Sequence, residues 1–275
     1  MSIKIAFVKM HGLGNDFVII EEKSLPASIS KTDLALAIAD RRLGVGCDQL
    51  IIYENKSENI VQMGIYNPDG SGAKACGNAS RCLSRLIYDD SGRRTIILNI
   101  EGRNVLCEYI NPNEIKVNMG IASFDEQWMP SSDRLWELAQ KYMIEPKEMS
   151  CVDVGNPHVV IFSKLSEPDR AIIGKNFQES NVFPEGVNVN FAMIEDDKIR
   201  LKVWERGTGF TYACGSGAVA SFAAANKLGF TGDKSEVIFE LGSLKMHKTN
   251  NEIGMAEIYM TGPASYIFRG EYIYG

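Results

Sequence analysis

The chain has 275 residues, 45% of them hydrophobic and 23% charged, enough to bury one large core or two ordinary ones without disulfides or metal. Its net charge of -6, with no basic run and no RNA-reading aromatic motif, speaks against a nucleic acid or an anionic membrane as partner and favours a small metabolite. No apolar run approaches a membrane span and the opening alternates like a strand rather than a signal peptide, so a cytoplasmic protein with reduced thiols is expected. Its six cysteines are then not a disulfide framework. No Cys-x-x-Cys pair occurs and the three histidines lie far apart, so no metal site is expected.

In chain order, "IKIAFVKM" and "FVIIEE" read as strands, and "KTDLALAIADRRLG" as a helix with Leu34, Ile38 and Leu43 near helical spacing and Gly44 as its stop. The strands "QLIIYE" and "IVQMGIYN" follow, then a glycine-bearing loop and "ACGNASRC", which opens a helix. After it come the strands "RTIILNIE", "NVLCEYI" and "EIKVNM". A boundary is expected in "MGIASFDEQWMPSSD", followed by a helix over "SDRLWELAQKYM" with Ser132 or Asp133 as its N-cap. The second half continues with "PHVVIF", "GVNVNFAMI" and "IRLKVWE", a second glycine-bearing loop, and "ACGSGAVASFAAANKLG". This last helix is apolar nearly all round, closes at Gly229, and is expected to run through the middle of its domain. "SEVIFEL" and "MAEIYM" complete the strands.

The phrase Ala-Cys-Gly thus occurs once in each half, after a strand and a glycine-bearing loop and before a buried helix, which suggests two similar α+β domains. A helix N-terminus offers free N–H groups and a partial positive charge, which bind a carboxylate and should lower the pKa of a thiol placed there. Glycine after the cysteine lets a ligand approach the backbone. Two such sites acting together make a base and an acid on opposite faces of one substrate carbon. Cys47, Cys82, Cys107 and Cys151 lack this context and read as packing residues. A redox pair reads poorly here, since such cysteines usually share one turn.

Polar residues that could orient an amino acid lie in similar loops: Asn15, Asn67, Asn156 with His158, Asn188, and the pair Glu205–Arg206. Singly, each asparagine fits a turn and the Glu–Arg pair fits a surface ion pair. Proton abstraction from an amino acid α-carbon without an electron sink is difficult, so closure round the substrate and donors aimed at its carboxylate are expected.

The phrases "KMHGLGNDFV", "GVGCDQL", "YNPDGS", "ACGNASRC", "GNPHVV", "GVNVNF", "WERGTG", "ACGSGA" and "MTGPASYIFRGEY" together resemble the diaminopimelate epimerases over nearly the whole chain. The resemblance implies an α+β fold of two pseudo-symmetric domains, each a mostly antiparallel, barrel-like sheet wrapped round a central helix. It places them at residues 1–120, completed by a C-terminal strand at 264–275, and 121–263. It implies a cofactor-independent isomerase that interconverts LL- and meso-2,6-diaminopimelate for lysine and peptidoglycan precursors, with no metal, and a homodimer. Cys76 and Cys214 match the family's acid and base, with His158 and Glu205 assisting. Asn15, Gln49, Asn67, Gly77, Asn78, Asn156, Asn188, Glu205, Arg206, Gly215 and Ser216 match its substrate contacts. Ala79, Ala122, Phe210 and Tyr212 depart from the usual wording, and the bulky Phe210 is expected to narrow the second site. Proline racemases and hydroxyproline epimerases are the nearest alternatives, and they usually carry His where this chain has Asn78.

Overall fold

The computed structural model describes residues 2–275. It divides into two compact units, Met1–Asn118 with Thr261–Gly275, and Met119–Met260. In the first unit the order is β1 (Ile3–Gly12), β2 (Asn15–Glu21), α1 (Lys31–Ala39), β3 (Gln49–Asn55), β4 (Ile60–Tyr66), α2 (Gly77–Ser91), β5 (Thr95–Ile100), β6 (Arg103–Asn111) and β7 (Glu114–Gly120). The second unit holds α3 (Ser132–Ala139), β8 (Met149–Asp153), β9 (Pro157–Ile161), α4 (Glu167–Gln178), β10 (Asn188–Glu195), β11 (Lys198–Glu205), β12 (Gly209–Thr211), α5 (Gly215–Lys227), β13 (Lys234–Phe239), β14 (Gly242–Asn250) and β15 (Ala256–Gly262). The last strand, β16 (Ser265–Tyr274), returns to the first unit and pairs antiparallel with β1.

The two units share one topology. In the first, β1–β2 is antiparallel, β2–β3 parallel, β3–β4 antiparallel, β4–β5 parallel and β5–β6 antiparallel. In the second, β8–β9, β9–β10, β10–β11, β11–β13 and β13–β14 repeat that alternation. Parallel neighbours cannot be joined by a tight turn and need a crossover. Each crossover here carries one helix: α1 and α2 in the first unit, α4 and α5 in the second.

The strands that flank the α1 and α4 crossovers, β2, β3, β9 and β10, are buried on both faces, so they read as continuous apolar runs, while β4, β5 and β11 alternate. Val18 and Ile20 of β2 and Leu50 and Ile52 of β3 pack against Leu34, Ala35 and Ile38 of α1. The intervening Ile19 and Ile51 are equally buried, on the opposite face. In the second unit Ile173 and Phe177 of α4 take the place of α1, against Val159, Ile161, Val189 and Phe191. Helix α5 lies in the middle of its unit, in contact with β8, β9, β10, β11, β13 and β14. Ala218, Ala220, Ala224 and Ala225 are all buried there, and side chains this short let strands close round the helix. The helix ends where Gly229 adopts a left-handed φ of 76° and Phe230 N–H reaches back to Ala225 O.

Three helices depart from expectation. α1 ends at Ala39 rather than at Gly44, because Asp40 Oδ1 accepts the N–H groups of Arg42 and Leu43, both at 2.7 Å, and so offers the backbone a turn instead of a helix. Leu43 is in consequence exposed and not a core residue. α3 is capped by Ser131, one position earlier than Ser132 or Asp133. α4 was not expected at all, although Ser166 with Pro168 and Asp169 is an N-terminal signature. Gly174 and Asn176 weaken its helical pattern, and Gly174 is there because Trp204 of β11 leans on it.

A Cβ at position 174 would lie 2.6 Å from Trp204 Cγ and 2.9 Å from Trp204 Cβ, atoms too near the backbone to swing aside. Gly174→Ala should therefore destabilise the chain by about 1–3 kcal/mol despite the better helix former. Thermal unfolding checks this, and an unchanged or raised melting temperature would show that Trp204 yields freely.

Candidate active site

In the first unit the chain leaves β4, turns through a glycine-bearing loop and enters α2 at Cys76. Cys76 is the N-cap, its backbone extended at φ -155° and ψ 100° while its carbonyl accepts Ser80 N–H at 2.9 Å. Its side chain does not cap the helix. The half-buried thiol lies 3.9 Å from Asn15 Oδ1, the first side chain of β2. Asn15 Oδ1 also accepts from Asn78 Nδ2 at 3.1 Å, and Asn15 Nδ2 donates to Asp48 Oδ2 at 2.8 Å. The parallel register of β2 on β3, Phe17 opposite Gln49, puts Gln49 at the same end of the sheet as Asn15. Gln49 Nε2 donates to Asn67 Oδ1 at 2.9 Å, and Asn67 Nδ2 donates to Ser71 Oγ at 3.0 Å. Gln49 Oε1 is buried with no protein partner, an acceptor suited to a ligand N–H.

In the second unit Cys214 is the N-cap of α5, and here the sulfur does cap, accepting Gly217 N–H at 3.4 Å. Ser216 Oγ lies 3.4 Å from it. His158, the second residue of β9 and fully buried, places Nε2 3.1 Å from both Ser216 Oγ and Asn156 Oδ1. On the other side of the ring, Nδ1 lies 3.3 Å from Asn190 Oδ1 and 3.2 Å from Asn190 Nδ2, so the tautomer sets which end of that amide it bonds. Asn188 spans the neighbouring strands: its Nδ2 donates to Pro157 O and its Oδ1 accepts Arg206 N–H, both at 2.9 Å. Arg206 Nη1 donates to Glu185 O at 2.9 Å. Glu205 receives a hydrogen bond from Thr211 Oγ1 and another from Cys214.

The environment of Cys214 corrects the expectation that a helix N-terminus lowers its pKa. Burial pushes this thiol well up, and the adjacent Glu205 carboxylate pushes it further. Donors at Ser216 and Gly217 pull the other way and are outweighed. Burial likewise holds Cys47, Cys82, Cys107 and Cys151 as thiols. His158 is pulled down to about 4 by burial, against the opposing Asn190 hydrogen bond, and is neutral at physiological pH.

The structure thus gathers Asn15, Asn78 and Cys76 in the first unit, with Gln49 and Asn67 at the same sheet end. It gathers Asn156, His158, Ser216, Cys214 and Glu205 in the second. Arg81, Asp48, Asn190 and Thr211 join these clusters without having been singled out in the sequence. An asparagine inside the apolar run "VNVNFAMI" was the available signal for Asn190; the full burial of Asn190 and Arg81 appears only in the fold. Phe210 does not narrow the second site. Opposite Trp204 on β12, it stacks edge-on to that ring at 5.0 Å, while Thr211, on the alternate face, reaches Glu205. Among the described residues no group of His, Cys, Asp or Glu is placed to hold a metal ion, and no helix is long and apolar enough to cross a membrane.

The same architecture occurs in solved structures. A phenazine biosynthesis protein of the PhzF family from Bacillus anthracis superposes with a TM-score of 0.73 at 14% identity, over 98% of each chain. A hydroxyproline epimerase from Agrobacterium vitis gives 0.67 at 13%, over 98% of this chain and 92% of that one. These likenesses show the fold; with the family match and the relatives that follow, the protein falls in the isomerase class. The diaminopimelate epimerase family model matches residues 7–124 and 150–267. The diaminopimelate epimerase of Rickettsia bellii (strain OSU 85-389) is 54% identical over 272 residues, 99% of both chains. That of Rickettsia prowazekii (strain Madrid E) is 52% identical over 271 residues, 98% of both. The chain belongs to the diaminopimelate epimerase family.

His158 makes the second unit acid-sensitive. Its folded pKa of about 4 lies below the ordinary 6.5, so its contribution to stability is full above pH 6.5 and is lost as pH falls towards 4. The loss amounts to roughly 3 kcal/mol. Urea unfolding between pH 7 and 4.5 should show a shallower decline for His158→Gln than for the wild type, and parallel declines would remove His158 as the cause.

Proposed function

We propose that the chain interconverts LL- and meso-2,6-diaminopimelate by removing the α-proton with one thiolate and delivering a second thiol's proton to the opposite face, without a cofactor, in the synthesis of lysine and peptidoglycan precursors. The observation that carries this is the cysteine cap at the same topological position of each unit, in a chain 54% identical to a diaminopimelate epimerase along its length. Cys214 rests as a thiol whose proton faces Glu205, and that carboxylate is the group able to take it. The thiolate so formed accepts the α-proton of the LL substrate, and Cys76 returns its own proton to the opposite face. After turnover Cys214 is protonated and Cys76 is the thiolate, the state required for the reverse direction. His158, neutral and bonded through Ser216, holds the sulfur of Cys214 in place.

The N–H groups at Gly77, Asn78, Gly215 and Ser216 suit the α-carboxylate, on which charge develops as the proton leaves. Asn15, Gln49, Asn67, Asn156 and Asn188 supply further polar contacts, with Gln49 Oε1 an acceptor for an ammonium. Arg206, anchored through Nη1 to Glu185 O, keeps N–H groups for the distal carboxylate and Glu205 lies beside it. This inventory fits a substrate charged at both ends better than proline, which has one carboxylate and a small ring. We take the compartment to be the cytoplasm, where thiols stay reduced, and the working form to be the homodimer that the family resemblance implies. Sedimentation velocity should then give twice the 30.5 kDa of the chain, and a monomer at working concentration would remove the dimer.

Solvent-deuterium incorporation tests the reaction and its substrate together. Diaminopimelate should exchange its α-proton, while proline and lysine, which leave buried polar groups unpaired, should react at least about 10⁴-fold more slowly. Cys76→Ala and Cys214→Ala should each abolish epimerisation without unfolding the chain. Turnover of either variant near the wild-type rate would sink the two-thiol mechanism, and efficient exchange of lysine would sink the substrate.

A further inference from the structure

We propose that Arg81 and Asp48 are positioning residues that fix the direction of the two amides beside Cys76, so that Asn15 presents its carbonyl oxygen to the thiol. The proposal deepens the acid/base reading and rests on it for the meaning of Cys76. A carboxamide has an accepting end and a donating end of nearly the same shape, so its direction is set only by neighbours that can do one thing. Arg81 can only donate. It is fully buried, and burial pulls its pKa down to about 10, which leaves it a cation at neutral pH. Its Nε donates to Pro263 O at 3.0 Å and its Nη2 to Asn78 Oδ1 at 2.9 Å. Room for that guanidinium comes from Gly12, where a Cβ would lie 2.8 Å from Nη2.

With its oxygen held by Arg81, Asn78 must turn its NH2 to Asn15 Oδ1, at 3.1 Å. At the other end of the chain of bonds stands Asp48, whose carboxylate can only accept. Its Oδ2 takes Asn15 Nδ2 at 2.8 Å and the Asp16 N–H at 3.0 Å, and its Oδ1 takes Arg41 Nη2 at 2.6 Å. Arg41 also grips Asp16, and the buried Lys9 pairs with Asp16 at 2.7 Å, so the carboxylate end is itself anchored. Between an obligate donor and an obligate acceptor, each amide has one orientation that clashes with neither. Asn15 Oδ1 is therefore left facing Asn78 Nδ2 and, at 3.9 Å, Cys76 Sγ. A carbonyl there stabilises the thiol over the thiolate, which keeps Cys76 as the proton donor; a flipped NH2 would do the reverse.

The test compares Asp48→Ala with Asp48→Asn, whose carbonyl can still accept the same two N–H groups. Two readouts are taken: kcat and KM with diaminopimelate, and the rate of Cys76 alkylation by iodoacetamide at neutral pH, followed by peptide mass mapping. Asp48→Ala should lower kcat about fivefold or more, with KM changed less, and should speed Cys76 alkylation severalfold, because an Asn15 amide held only by Asn78 samples the orientation that turns its NH2 to the sulfur. Asp48→Asn should restore both. An unaltered alkylation rate in Asp48→Ala, or an Asp48→Asn as impaired as Asp48→Ala, would overturn the proposal. Should Asp48→Ala not fold, the wild type still decides, because the side-chain NH2 protons of Asn15 and Asn78 should resist hydrogen exchange by NMR. Exchange of both at the rate of a free amide would refute the relay. The alkylation and exchange measurements need no turnover, so a failure of the two-thiol mechanism would show separately, in an active Cys76→Ala.

Discussion

The unpaired N–H groups at the start of a helix are the constraint from which each unit follows. α2 and α5 carry those groups into interiors where water cannot serve them, so protein or ligand must. The residues at both helix starts are small or polar, and several strand ends converge on them with amide side chains. Gly217 shows how close the packing is: a Cβ there would lie 2.9 Å from Val203 and 3.1 Å from Asn190 Oδ1. A buried helix start that approaches its neighbours this closely is held rigid. Donors held rigid need no rearrangement when charge develops on a bound carboxylate, and that is the source of their strength.

The repeated topology does not make the two cysteines equivalent. Cys214 is nearly inaccessible, caps its own helix, and lies between donors at Ser216 and Gly217 and the acceptor Glu205. Cys76 is half-buried, leaves its helix uncapped by its side chain, and faces a carbonyl oxygen. A reversible transfer between two faces of one carbon needs one thiol ready to lose its proton and the other ready to give one. Under the proposed mechanism, duplicated backbone with unlike side-chain surroundings meets that need: the fold supplies the helix ends, and neighbours differ, with the Glu205 carboxylate beside Cys214 and the Asn15 carbonyl beside Cys76.

Buried polar groups make this arrangement costly to disturb. His158, Asn190 and Arg81 are fully enclosed, and each stays there because its hydrogen bonds run to specific partners. The site is thus built into the cores of the units rather than laid on their surfaces. Its residues stand at the ends of β2, β3, β9, β10 and β11 and at the starts of α2 and α5. Rotamers locked by packing hold these side chains to within the small tolerances that proton transfer requires.

Much of the plan was legible in the chain itself. Period-two and continuous apolar runs marked most strands, the alanine-rich stretch after Cys214 marked a buried helix, and the doubled Ala-Cys-Gly marked both helix mouths. These signals are local, and burial on two faces or a helix start leaves a direct trace in neighbouring residues. α4 left a weaker trace, because Gly174 was chosen by Trp204, thirty positions away, rather than by the helix. The relay beside Cys76 joins residues separated by 33, 63 and 182 positions, and no spacing rule connects them. The protonation of Cys214 was settled in the same way. Its place at a helix N-terminus, which argues for a lowered pKa, is written in the sequence; the burial and the Glu205 carboxylate that reverse it exist only once the strands have closed round the helix.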